Sequence, residues 1–155
     1  MASRLITPTL EERLKSYPLY SQDGKGKDAV CVAIFFIGHV RWFVLEGQPE
    51  GNDTTLFTIV CGLHETEYGY TSVNEMESVK VDGSKYGVDE IFQVEQLDGF
   101  KPVKLKSIPD EDLQAFLHNM DFVNHRIRSI NDIINEKRKK LFIRFFCIEH
   151  MHIND

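Results

Sequence analysis

Residues Leu56 to Val79 read LFTIVCGLHETEYGYTSVNEMESV, and this stretch decides the fold. Leu56 to Cys61 is an apolar run of strand length, too short for a core helix. Glu65 and Glu67 follow in an acidic loop, and Gly69-Tyr70 reads as a turn. Ser72-Val73-Asn74-Glu75 matches a capping box. There the serine hydroxyl accepts from the third helical N–H, and the glutamate reaches back to the serine N–H. A short helix is expected over Val73 to Ser78.

Upstream, Ala29 to Ile37 is a dense apolar strand with both faces covered. Gly38-His39 reverses the chain into Val40 to Glu46. Alternation puts Arg41, Phe43 and Leu45 on one face, and Trp42, Val44 and Glu46 on the other. Gly47 to Thr55 reads as a loop. Short connections make these strands an antiparallel meander. Before them, Thr9 to Leu14 predicts a short helix with acids near its start. Tyr17 to Tyr20 is an extended aromatic segment, and Asp23-Gly24-Lys25-Gly26 is a turn.

Downstream, Asp82-Gly83-Ser84-Lys85 is a turn and Glu90 to Leu97 a fourth strand. Phe100 to Lys106 is an edge or connector, because Pro102 cannot donate to a ladder. Pro109 at a first-turn position, followed by Asp110-Glu111-Asp112, starts a helix. Leu113, Phe116, Leu117, Met120, Val123, Ile127, Ile130 and Ile134 step by three and four along one stripe. Asn119 and Asp121 mark where it would divide in two. Lys137 to Lys140 suit the negative pole of its far end, and Leu141 to Ile148 is again apolar. The expected fold is α+β: a mostly antiparallel sheet of four to five strands, a short N-terminal helix and a long C-terminal helical arm. Residues 1–106 form the core domain. Residues 107–155 form a helical extension packed on it or projecting from it, whose stripe is also a candidate homodimer interface.

Four segments and their order together carry a resemblance. The segments are Tyr17-Pro18-Leu19-Tyr20-Ser21-Gln22, Ile34-Phe35-Phe36, Trp42 to Gly47, and Gly62 through Ser78. Over roughly residues 6–97 the chain resembles the bacterial family catalogued as domain of unknown function 2958. Where that family usually has Glu-Arg-Asp before the last strand, this chain has Val88-Asp89-Glu90, so any role of that arginine is missing here. The resemblance implies no established activity. It implies a setting on plasmids, phages and conjugative elements.

Composition narrows the classes. A chain of 155 residues, 42% apolar, suits one domain with a real core. No apolar run approaches a membrane span. Met1-Ala2-Ser3-Arg4-Leu5 lacks an apolar signal core, so a cytoplasmic location is expected. Cys31, Cys61 and Cys147 are an odd number and read as free thiols. The net charge of −6 hides an asymmetry. From Glu46 to Asp112 there are 15 acids against 5 Lys/Arg, and from His125 onward 7 Lys/Arg against 4 acids.

Candidate sites follow from this layout. Glu65, Glu67, Tyr70, Glu75 and Glu77 form an acidic, aromatic surface for a protein partner. Spread carboxylates can also imitate phosphate spacing and fill a basic groove. A solvated loop and a helix cap are the plain alternative. Acid/base work or cation binding would need a nucleophile or pocket that nothing beside them supplies. Arg126, Arg128, Lys137, Arg138, Lys139 and Lys140, with Arg144, are the nucleic-acid candidates, without base-reading residues. Cys147, His150 and His152 have a metal-like spacing but no second ligand pair. His64 and His118 read as structural. No cofactor and no metal site are expected. The expected function is non-catalytic: an inhibitory protein-binding accessory of a mobile genetic element, such as an anti-CRISPR or anti-restriction protein. The alternative is a nucleic-acid-associated factor using the basic helix.

Overall fold

The computed structural model describes residues 3–124. Thr7 starts the first helix: its hydroxyl accepts from the Leu10 N–H at 3.2 Å, and Pro8 fills the first turn. This helix, α1, spans Pro8–Lys15. The strands are β1 Val30–Cys31, β2 Ala33–Ile37, β3 Val40–Glu50, β4 Asp53–Cys61 and β5 Glu67–Ser72. Helix α2, Val73–Ser78, leads to β6 Lys80–Asp82, β7 Ile91–Gln93, β8 Glu95–Gln96 and β9 Val103–Lys104. Helix α3 is Glu111–Asn124. The main sheet has the order β5-β4-β3-β2-β8, antiparallel throughout. Two small ladders, β1–β9 and β6–β7, flank it.

This is the expected α+β class with five strands in the main sheet, and several local expectations change. Gly69-Tyr70 is no turn but the middle of β5, with Gly69 opposite Thr58 and Tyr70 opposite Phe57. The expected loop over 47–55 is mostly strand: β3 runs on to Glu50, and only Gly51-Asn52 turn before β4. Pro49 is tolerated there because β2 pairs with β3 only as far as Val44, so the missing N–H faces no ladder. The apolar run 29–37 divides at Val32 into β1, which pairs with β9, and β2. Val94 likewise divides the expected fourth strand into β7 and β8. Pro109 lies before the helix, and Asp110 caps it by accepting from Leu113 N–H at 3.1 Å.

Each sheet face carries its own core. On one face Phe35, Trp42, Val44, Leu56 and Val60 meet Leu10 and Leu14 of α1 and Val73 and Met76 of α2. Ring and branched side chains at zero to one per cent exposure contribute about 1.5–3 kcal/mol each. On the other face Ile34, Phe43, Phe57, Ile59 and Cys61 meet Leu105, Ile108, Leu113 and Leu117. The start of the C-terminal helix therefore packs on the sheet, with Phe116 edge-on to Tyr68 at 5.1 Å. The sheet is covered on both sides, which is why its central strands read as near-continuous apolar runs.

A bulge in β3 redirects one side chain. The register passes from Val44 opposite Thr58 directly to Glu46 opposite Phe57, leaving Leu45 extra. Glu46 thus shares the face of Phe57 and Tyr70, not that of Trp42 and Val44 as alternation predicts.

Candidate functional site

Two of the segments that carry the family resemblance, residues 17–22 and 42–47, meet at the bulge, with Tyr70 of a third beside them. Glu46 is 1% exposed. Its two oxygens accept from the N–H groups of Tyr20 and Gln22 at 2.8 and 2.7 Å. The Gln22 amide donates to the carbonyls of Val30 and Leu45 and accepts from Val30 N–H. Gly47 N–H donates to Tyr17 C=O at 3.0 Å. Residues 17–22 therefore occupy the side of β3 that β2 leaves open, and they saturate its backbone. Gly47 also leaves room for the apolar core, since a Cβ there would lie 2.7 Å from the Leu56 side chain and 3.1 Å from that of Leu14.

Tyr20 sits at φ +74°, the only non-glycine with positive φ among the described residues. Such a backbone costs of order 1–3 kcal/mol and persists where its surroundings over-determine it. Here Glu46 holds the Tyr20 N–H. The Tyr20 ring stands edge-on to Tyr70, 6.3 Å between centroids, and is half exposed. Burial pushes the Tyr70 hydroxyl up, and the hydrogen bond with Tyr20 adds to the shift. At neutral pH Tyr70 is a phenol inside the core.

This geometry takes Tyr70 out of the predicted acidic surface. Tyr70 is 3% exposed and points into the face that Phe57 and α3 share. Glu67 lies an odd number of positions away on the same strand, so its side chain leaves from the opposite face. Glu77 ties down the N-terminal segment, accepting from Ser3 Oγ and from Leu5 N–H. Glu65 and Glu75 are exposed. The cap of α2 is also shared differently. Ser72 Oγ accepts from Glu75 N–H as predicted, and its hydroxyl donates to Asp53. Asp53 in turn accepts from Asn74 N–H at 3.0 Å. The acid at this helix start is Asp53, reached across β4. His64 is an exposed loop residue and His118 lies on an exposed side of α3. Arg126, Arg128 and Lys137 to Lys140 lie outside the described residues, as do Arg144, Cys147, His150 and His152 and the proposed dimer stripe beyond residue 124.

The apolar surface lies elsewhere, on the hairpin of β6 and β7. Every residue of 84–93 is exposed. Tyr86 and Ile91 are 69% and 68% exposed, and Val88 and Phe92 are 39% and 38% exposed. The tip is ordered: Gly83 N–H donates to Glu90 C=O at 2.7 Å, and Val88 N–H to Gly83 C=O at 3.0 Å. Four apolar side chains are exposed on one hydrogen-bonded hairpin, Ile91 and Phe92 leaving from its opposite faces, and exposed apolar surface of this kind marks an interaction site. Asp82, Asp89 and Glu90 rim it. Residues 88–90, where the sequence departs from the family pattern, lie at this tip. Turn signals in the sequence placed a bend here but gave no sign that the strand after it would stay uncovered.

Other reactive groups are quiet. Burial pushes the Cys31 thiol up to about 12 and the Cys61 thiol up to about 11, so both rest protonated. Both are free and buried. No group of three or more His, Cys, Asp and Glu that could hold a metal occurs among the described residues. No helix among them is long and apolar enough to cross a membrane.

Arg41 fastens α3 to the sheet. Its guanidinium donates to both oxygens of Asp110, at 3.0 and 2.9 Å, and to Asp112 at 3.0 Å. Burial pushes the Asp110 carboxyl up, but Arg41 and the Leu113 N–H outweigh it and hold it below its usual range. Replacing Asp110 by alanine removes the cap and the pair, an expected loss of about 1–3 kcal/mol. Asparagine keeps the cap but loses the charge and turns an NH2 group toward Arg41 Nε, so it should cost more than half as much. A depressed carboxyl stabilises above its unfolded pKa and loses that effect as pH falls through its folded value. The gap in melting temperature between wild type and Asp110→Asn should therefore be full at pH 7 and shrink below about pH 4. Thermal melts at pH 7 and pH 3 check this.

Comparison with known proteins gives one match. A family model described as protein of unknown function (DUF2958) matches residues 5–97. No curated protein and no solved structure matches the chain.

Proposed function

The chain belongs to the DUF2958 family, and from that premise we propose that it is a non-catalytic protein-binding module whose contact surface is the β6–β7 hairpin. One observation carries this reading: Tyr86 and Ile91 are largely exposed, and Val88 and Phe92 partly so, on a hydrogen-bonded hairpin that also exposes Asp82, Asp89 and Glu90. Aromatic and aliphatic anchors ringed by charge are the usual make-up of a binding hot spot. The complementary partner is a protein with an apolar groove and a basic rim. In its most concrete form the role is inhibitory: a host or element-encoded protein, such as a restriction or CRISPR nuclease, is occupied by an accessory protein of a mobile element. The setting implied by the family resemblance motivates that form.

Ile91→Asp should weaken partner capture about thirty-fold or more, the scale of a hot-spot truncation. It should shift stability by no more than about 0.5 kcal/mol, because Ile91 is already solvated. Tagged wild type and variant would be used to pull down partners from a bacterial lysate, with and without nuclease treatment. A protein captured by wild type, lost with Ile91→Asp and retained after nuclease supports the reading. Capture that ignores Ile91→Asp defeats it. Capture that vanishes with nuclease favours the nucleic-acid role of Lys137 to Lys140. Protection of phage or plasmid then tests the inhibitory form.

A further inference from the structure

We propose that the open edge of β7 is a strand-addition site, which takes one extended, Lys/Arg-bearing segment of the protein partner as a third strand of the β6–β7 ladder; this mode rests on the binding role proposed above. Hydrogen bonding alternates along an antiparallel ladder. Val81 lies opposite Phe92 and Asp82 opposite Ile91, and beyond them Gly83 N–H donates to Glu90 C=O at 2.7 Å. Glu90 and Phe92 therefore turn their backbone groups toward β6. Ile91 and Gln93 turn theirs the other way, and β7 pairs with no other strand among the described residues. The N–H and C=O groups of both residues thus line an open edge beside the exposed Ile91 side chain. Such a row is a template for a further strand.

The edge is fixed at both ends. At the tip Gly83 admits the Phe92 ring and the Glu90 carbonyl, each 2.7 Å from where a Cβ would stand. At the root Val94 is fully buried, and its carbonyl accepts from the Arg4 guanidinium at 2.7 Å. A strand held in this way gives up little freedom when it pairs. The ladder also gains from pairing, because two strands alone are marginal in water and a third supports them.

Alternation and charge describe the occupant. Val81, Glu90 and Phe92 leave from one face of the ladder, Asp82 and Ile91 from the other, so each face offers apolar and acidic side chains. Residues 80–98 carry five acids against two lysines. An extended segment that alternates apolar residues with Lys or Arg complements both features. A second copy of this hairpin would set acids against acids, which disfavours self-pairing. A docked helix would leave the outward N–H and C=O groups of Ile91 and Gln93 without ladder partners.

An octapeptide of alternating Lys and Val, blocked at both ends, is the probe. It is added to the full chain and followed by residue-resolved amide exchange. Exchange should slow about ten-fold or more at Ile91 and Gln93, and by less than about two-fold at Phe92, whose N–H already serves β6. A Glu-Val octapeptide should bind about ten-fold more weakly at low salt. Gln93→Pro removes one outward N–H and leaves the pairing of Val81 with Phe92 in place. Gln93→Ala removes the same side chain and keeps the N–H. The proline variant should bind the Lys-Val peptide about ten-fold more weakly, and the alanine variant as wild type does. Even where proline distorts the ladder, the alternating protection in wild type decides. Protection that is absent at Ile91 and Gln93 or uniform along the hairpin overturns strand addition. So does equal binding of the two peptides, or a proline variant that binds like the alanine variant. The mode and the role fail separately. A lysate partner lost with Ile91→Asp but still captured by Gln93→Pro leaves the binding role standing and removes strand addition. A partner that ignores Ile91→Asp removes the role, whatever the peptides do.

Discussion

Glu46→Ala is expected to lower the melting temperature by roughly 10–15 °C, which corresponds to a loss of about 3–5 kcal/mol. The carboxylate is 1% exposed and accepts from two backbone N–H groups, of Tyr20 and Gln22. Alanine leaves both donors without an acceptor, at about 1–3 kcal/mol each, and leaves a void besides. It also removes what holds Tyr20 at φ +74°. The loop over residues 17–22 would then lose its seat on β3, and Gly47 N–H its partner at Tyr17. Glu46→Gln keeps one acceptor oxygen but turns an NH2 group toward the other donor, so about half of the loss should remain. Chemical denaturation of the three proteins measures both values. A fall of under about 3 °C for the alanine variant would mean that the loop backbone finds other acceptors and that Glu46 is not its anchor.

Gly62→Ala should be the second large effect, at about 2–5 kcal/mol. Gly62 closes β4 at φ +94°, a region that an L side chain occupies only under strain. A Cβ there would lie 2.3 Å from the His39 carbonyl oxygen and 3.0 Å from Val40 Cα. Both are backbone atoms of the tight β2–β3 turn, so no rotamer change relieves the overlap. The strands must separate where Arg41 faces Cys61, which would also disturb the Arg41–Asp110 fastening of α3. Equilibrium unfolding gives the cost, and near-ultraviolet circular dichroism reports whether the Trp42 environment changes with it. A loss under about 1 kcal/mol would show that this turn is softer than its contacts indicate.

Legibility in the sequence followed the range of the forces involved. Ser72 was readable as a cap because a hydroxyl reaches donors only three residues away, whereas the Thr7 cap came from the structure. Gly38-His39 was readable as a reversal because the flanking runs are apolar and short. The hairpin was readable as a turn at Asp82 to Lys85, but its exposure was not. A strand such as Ile91-Phe92-Gln93 looks alike in sequence whether or not another layer covers it. Gly69-Tyr70 was read as a turn since glycine favours one, yet the register with β4 draws it into an edge strand. There Thr58 Oγ1 donates to the Gly69 carbonyl at 3.2 Å.

By itself the sequence determined the α+β class, the antiparallel meander, the helix starts and the family. Those depend on alternation, spacing and capping, which act within a few residues. Only the tertiary structure decided which face Glu46 takes, that Tyr70 is internal, that Asp53 caps α2, and that the start of α3 lies on the sheet. A single extra residue at Leu45 reverses the alternation after it, and hydrogen bonds between residues 17–22 and β3 stabilise that reversal. Such long-range pairing of backbone and carboxylate leaves no periodic trace in the chain, so of the residues that sequence grouped as one surface Glu77 became a tether, Tyr70 an internal phenol, and Glu65 and Glu75 solvated positions.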